Sequence, residues 1–246
     1  MIKQAKNISW WVFAVITFLV FVVLQIPAAW LVSKFYKDNQ DLQNIDGNIW
    51  NGQADWQKNQ LRGTITWSYR PLDLLFFKIS ANTEVRSGET QLKGVLGYSF
   101  GNFSINSLNG RIAPETLRSF QAWDWPSTDI QVKDLNFKYN KSTGFEKGEG
   151  TFQWGGGELL YTYSQRQERM SVPSLKGSFI VDKGKLILDV RDQRDQKMAN
   201  FALDTALMLD AQLTQRMLMN VQSYEGKAAM DTYVISIRQP LVKGGE

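Results

Sequence analysis

From Asn7 to Ser33 the chain runs for 27 residues without a charged side chain. A helix of about 20 apolar residues crosses the hydrocarbon core of a bilayer, so this stretch is long enough to span one. Trp10 and Trp30 lie twenty positions apart. At 1.5 Å per residue that is roughly 30 Å, which puts one indole at each interface. Twelve residues between Val12 and Ile26 are Val, Ile, Leu or Phe, each favouring insertion by about 0.3–0.6 kcal/mol. The pattern predicts a cytoplasmic tail at 1–7, a transmembrane anchor at 8–32 and an exported globular region at 33–246. A cleaved signal peptide is the competing reading, with Ala28-Ala29 as its cleavage site. It fits poorly, because signal cores span 7–15 residues and Pro27 would occupy the −3 position. Lys3 and Lys6 precede the run, and Lys34 and Lys37 follow it beside Asp38 and Asp41. An N-in, C-out topology is favoured.

The exported part contains no chemistry that depends on cysteine or histidine, because the chain has neither. Disulfide staples, thiol nucleophiles and serine–histidine catalysis are excluded, and the commonest metal ligand is missing. An exported chain without cysteine suits a bacterial periplasm better than a disulfide-rich extracellular space. The net charge of +4 is no nucleic-acid footprint.

Beyond the anchor the hydrophobic period is two. Ile65, Trp67 and Tyr69 alternate with polar neighbours, as do Leu92, Gly94, Leu96, Tyr98 and Phe100. Ile130 and Val132 keep one phase, and Leu135, Phe137 and Tyr139 continue in the other, which predicts a bulge. Phe179 and Val181, then Leu186, Leu188 and Val190, then Phe201, Leu203 and Leu207, extend the same period to a closing strand at 234–237. Asp46-Gly47, Asn51-Gly52, Asn109-Gly110, Lys183-Gly184 and Glu225-Gly226 read as turns. The expected fold is mainly β, a curved antiparallel sheet or open half-barrel with two short helices. The helices are placed at Pro114–Phe120 and from a Thr214 cap to about Tyr224.

Strand motifs recur. Gly63-Thr64-Ile65-Thr66-Trp67 returns as Gly150-Thr151-Phe152-Gln153-Trp154, and SLNGRI at 107–112 returns as SLKGSF at 174–179. The two spacings differ, so one strand type is reused without simple tandem duplication. Core filling by Trp67 and Trp154 is the simpler reading of the aromatic positions.

These same segments carry a family resemblance. DLQNIDGNIWNGQADW, placed directly after a single N-terminal anchor, resembles a segment of the type II secretion system protein N family, with Gly47, Ile49, Trp50, Gly52 and Ala54 at the matching positions. The resemblance continues through GTITWSYRPLDLL (Gly63, Trp67), LNGRIAPETL, GEGTFQWGGGELL (Gly150, Trp154) and MLMNVQSYEGKAAMDTYVISI. Gln153 and the triple glycine at 155–157 depart from the usual pattern. The resemblance implies a bitopic inner-membrane protein of the machine that exports folded proteins, with its C-terminal domain in the periplasm. Its partners would be the bilayer and other secretion components. It also implies similarity to AsmA-like proteins, whose sheets curl into an apolar groove, and so a lipid or hydrophobic-segment ligand as the alternative function.

No catalytic constellation is legible, and the chain reads as a non-enzyme without a cofactor. Asp189, Asp192 and Asp195 alternate with Arg191, Arg194 and Lys197 as a solvated hairpin tip. Gly155-Gly156-Gly157 lacks the Lys-Ser/Thr of a phosphate loop. Arg62 and Arg70 flank a strand, as a solvated face or as contacts for a partner or lipid headgroup. A carbohydrate module, suggested by nine Trp and eight Tyr, is the weakest reading. Residues 45–110 and 130–205 are expected to form the curved sheet, with Leu96 and Leu188 on its concave, apolar side as a candidate groove.

Overall fold

The computed structural model describes residues 3–35, 41–58, 61–120, 123–163 and 165–240. Helix α1 spans Lys3–Leu24 and helix α2 spans Ala28–Phe35. The uninterrupted span expected over 8–32 is therefore broken, and Trp10 and Trp30 do not share one helix. Among the described residues no helix is long and apolar enough to cross a membrane. The break follows from Pro27, which has no N–H to donate and disfavours helical backbone at Ile26. Pro27 instead forms an isolated β-bridge with Asn48.

Strands β1 (Leu42–Gly47), β2 (Asn51–Lys58), β3 (Leu61–Tyr69), β4 (Ile79–Ser87), β5 (Thr90–Ser99), β6 (Asn102–Ile112), β7 (Ile130–Asn140) and β8 (Gly144–Trp154) follow as a meander. After the hairpin β9 (Gly157–Tyr163) and β10 (Arg166–Val172), the meander resumes. Its last strands are β11 (Leu175–Asp182), β12 (Lys185–Asp192), β13 (Lys197–Leu203), β14 (Met208–Thr214) and β15 (Tyr233–Pro240). Thirteen strands form one antiparallel sheet in chain order, with β11 beside β8, and β9–β10 stand apart as a second, two-stranded sheet. The mainly β expectation holds, as an open curved sheet.

Period-two patterning decides the faces. Directly paired residues share a face, and one row runs Tyr69, Ala81, Leu96, Ile105, Phe137, Gly148. Another runs Phe152, Gly177, Val190, Ala199, Leu213, Ile235. The opposite face carries rows such as Thr66, Glu84, Lys93, Asn109. The phase change between Val132 and Leu135 is a paired bulge, with register shifts on both β6 and β7. The Ser107 N–H donates to Asn136 Oδ1 (2.8 Å), and the Asp134 N–H donates to Asn109 Oδ1 (2.9 Å). Side-chain amides thus satisfy the backbone that the ladder leaves open. Asn109-Gly110, expected as a turn, lies inside β6 for this reason.

The sheet curls toward its apolar face. Phe145 N–H on β8 donates to the Gly184 carbonyl of the β11–β12 turn (2.9 Å). Gly148 faces Val181 and Leu186 so closely that a Cβ there would meet both side chains within 2.8 Å. The C-terminal half of this concave face is roofed by the β9–β10 hairpin. Segment Trp123–Trp125 bridges to β9 through Asp124 and Leu160, and Val221 bridges to β10 through Met170. Together they enclose a core of Trp154, Leu159, Met170, Val172, Leu175, Val190, Met198 and Ala199.

Helix α3 (Pro114–Phe120) forms as expected. Helix α4 is only Gln215–Leu218, with the Thr214 side chain accepting from the Met217 N–H. It stops short of Tyr224 because Asn220 and Gln222 pair their backbone with β10. Phe100 and Leu207, read as strand residues, lie in turns at positive φ.

Candidate functional site

The residues quoted for the family resemblance assemble a joint between the N-terminal helices and the sheet. Gly47 ends β1 at a φ of +87°, where a Cβ would lie 2.4 Å from the Asn51 carbonyl oxygen. Only glycine fits that turn. Asn48 Oδ1 then accepts the Trp50 and Asn51 N–H groups (2.9 and 2.8 Å). This closes a short side-chain turn and presents Ile49 and Trp50 to α1. The Ile49 N–H donates to the Ile26 carbonyl (3.1 Å) and Trp50 Nε1 donates to the Val23 carbonyl (3.0 Å). The turn thus bonds to a carbonyl in the last turn of α1 and to one in the break that follows it. Trp50 also meets Tyr69 edge-on at 4.6 Å, and the Tyr69 N–H donates to the Trp50 carbonyl. Ala54 is buried beside this corner.

The glycines inside strands serve as seats for larger side chains. A Cβ on Gly52 would fall 2.5 Å from the Trp67 ring, and one on Gly63 would fall 2.6 Å from the Trp56 ring. Gly150 adopts a φ of +132° at the bulge opposite Leu135. The two repeated tryptophans play similar parts. Trp67 Nε1 donates to the Asn48 carbonyl (3.2 Å), and Trp154 Nε1 donates to the Thr128 carbonyl (3.0 Å). Trp154 is buried in the roofed core, whereas Trp67 is half-buried on the open half of the sheet.

Leu96 and Leu188 both lie on the concave apolar face, but the fold does not bring them together. Four strands separate β5 from β12, about 24 Å at ordinary strand spacing. Leu188 packs against the roofed core. Leu96 sits on the unroofed half, where Ile65, Val85, Leu92, Ile105 and Phe137 are likewise only half-buried. Two clefts elsewhere, of about 590 and 340 Å³, are lined mostly by polar residues and include neither Leu96 nor Leu188.

Sequence reasoning missed the roof. Tyr161, Trp123, Trp125 and Trp154 form a chain of ring contacts at 5.4, 5.5 and 6.1 Å. Its legible signal was the Trp-Asp-Trp-Pro run at 123–126. Burial, then the nearby Glu168 charge, pushes the Tyr161 hydroxyl pKa up. The acidic and basic side chains of 189–197 form surface pairs, such as Arg191 with Asp189 at 2.7 Å and Lys176 with Asp195 at 3.0 Å. Among the described residues no group of three or more acidic side chains is arranged to hold a metal ion.

The sheet ends in two open edges among the described residues, β1 and β15. Such edges, with an apolar face between them, are equipped for protein association. Residues 38–231 match the family model described as "Type II secretion system (T2SS), protein N". No curated protein and no solved structure matches the chain.

Proposed function

The chain belongs to the type II secretion system protein N family, and we propose that it serves that machinery as a bitopic inner-membrane component. In this reading the uncharged N-terminal segment attaches the protein to the membrane, and the β-rich domain lies in the periplasm. There it supports export of folded proteins through contacts with other secretion components, without catalysis. The observation that carries the contact role is the pair of open edges. Strand β15 is exposed along nearly its whole length, Ile237 included, and it offers a ladder for strand addition.

The test is a photo-crosslinking amino acid at Ile237 in the full chain, expressed in the native envelope beside a gene deletion. The expected outcome is a crosslink to another type II secretion component and loss of cargo export in the deletion. Export that is unaffected, with no such crosslink, overturns the reading.

The second reading is an AsmA-like groove that handles lipid or hydrophobic segments. The unroofed apolar surface around Leu96 favours it. Stoichiometric phospholipid in native mass spectra of the full chain, without secretion partners in the pull-down, would put this reading first.

A further inference from the structure

The β3–β4 connection reverses the usual polarity of a loop. Pro71–Phe76 forms a 3₁₀ turn whose polar side chain points back to the sheet. Asp73 accepts the Ser80 hydroxyl and pairs with Arg70 at 3.4 Å. The apolar side chains point outward. Leu72, Leu75, Phe76 and Phe77, with Phe100 from the β5–β6 turn, are each 73–78% exposed. The Phe77 and Phe100 rings lie 6.0 Å apart. Both residues have positive φ, +54° and +47°, a region that glycine or asparagine normally occupies and bulky side chains avoid. Backbone in this region is costly for such residues, and here it displays two phenylalanines to water. Contiguous apolar exposure on this scale marks an interaction site.

The position of the patch identifies what covers it. The joint described above links α1 to the same corner of the sheet, from Val23 through Trp50 to Tyr69, and Tyr69 leads directly into Arg70 and Pro71. The patch and the C-terminal end of the uncharged α1 segment therefore lie at the same end of the sheet. Arg70 and Lys78 bracket the turn, as cations bracket segments that sit at a lipid headgroup layer. None of the patch residues lines either of the two clefts described above.

We propose that the Leu72–Phe77 turn and Phe100 insert into the bilayer surface, as a second membrane contact that fixes the sheet against the leaflet. The proposal rests on the membrane attachment proposed above. A single attachment would leave the angle of the sheet to the leaflet to the joint at Val23–Trp50 alone. With two contacts, the concave face and the β1 and β15 edges are held at a set angle to the membrane.

The absence of cysteine makes a single introduced thiol an unambiguous reporter. Full-length Phe76→Cys and Glu89→Cys variants, the latter on the turn at the far end of β4, are labelled with an environment-sensitive fluorophore. They are reconstituted into phosphatidylethanolamine–phosphatidylglycerol vesicles that carry spin-labelled lipids. The expected result is a blue-shifted label at 76, quenched several-fold more strongly than the label at 89. A Phe100→Cys label should behave as at 76 and lose its quenching when Leu75→Asp and Phe76→Asp are added. Those sites are exposed, so the melting transition should stay in place. Protein that floats with the vesicles while the labels at 76 and 89 quench alike overturns the second contact alone. Protein that fails to float overturns the attachment together with it. A label at 76 shielded only in native envelopes, and not in pure lipid, assigns the patch to a protein and overturns the proposal.

Discussion

The Tyr139 hydroxyl donates to the Thr205 carbonyl at 2.9 Å, although β7 and the β13 end lie four strand steps apart in the sheet. Four steps in a flat sheet are about 19 Å, well beyond the reach of a tyrosine. The bond exists because the sheet curls toward its apolar face at this end. Gly144 and Gly184, at φ of +82° and +76°, let the β7–β8 and β11–β12 turns approach the Thr205 turn. Curvature here is a property of particular residues.

Tyr139→Phe removes this hydroxyl and leaves the ring on Phe145, 5.0 Å away. One exposed hydrogen bond contributes about 0.5–1.5 kcal/mol. Denaturant unfolding should show a loss in that range with an unchanged slope. A loss too small to measure would mean that the closing turns hold the curve without Tyr139.

Trp154→Ala and Trp67→Ala should separate the roofed and open halves of the sheet. Trp154 is buried among Leu159, Met170, Val172 and Leu175, so its truncation should cost about 3–5 kcal/mol. Trp67 is half-buried above Gly52, and its truncation should cost about 2 kcal/mol. Equal losses in thermal melts would show that the two halves are packed alike.

That contrast also marks what the sequence could reveal. Alternation at 65–69, 92–98 and 179–190 exposed the strands and their apolar face, because each strand turns one side toward the apolar face of the sheet. The slip between Val132 and Leu135 exposed the bulge. The roof was not legible, since Trp123, Trp125 and the β9–β10 hairpin approach the sheet from distant positions. Their ring contacts depend on tertiary placement. The break at Pro27 was visible as a residue, but its effect was outweighed by the long uncharged run. The alternation gave no reading of the Leu72–Phe77 turn, and only the fold shows it directed into solvent.

Stability should fall as acid reaches Glu84. The Arg86 side chain and then Gln91 Nε2, at 2.5 Å, hydrogen-bond its carboxylate, and Lys93 lies at 3.4 Å. They lower its pKa from 4.5 to about 2. A carboxylate whose folded pKa is depressed stabilises the fold above its unfolded pKa. That contribution is lost as pH falls through the folded value. The window is therefore from pH 4.5 down to about 2. Glu146, bonded by Lys138, and Asp204, bonded by the Met208 N–H, are lowered in the same direction. The melting temperature of Glu84→Gln should fall less steeply than wild type across this window. Superimposable curves would remove Glu84 from the acid response.

Gly177 tests whether aromatic covering of strand glycines builds the sheet. The Phe152 ring from β8 lies across Gly177 on β11, so close that a Cβ would sit 2.0 Å from Cε1. A methyl group there must push the ring off the roofed core against which Phe152 packs. Overpacking of this kind costs about 1–3 kcal/mol. Gly177→Ala alone should therefore destabilise the protein by that amount, even though alanine suits a strand slightly better than glycine. Phe152→Leu alone should also destabilise it, by lost burial. In the double variant the shorter leucine leaves room for the methyl, so the combined loss should fall below the sum of the two single losses. A coupling of at least 0.5 kcal/mol is the scale seen for residues in contact. Strict additivity in a double-mutant cycle would show that the ring does not depend on the missing Cβ. In that event the matched glycines at 52, 63 and 177 would have to be explained by backbone approach alone.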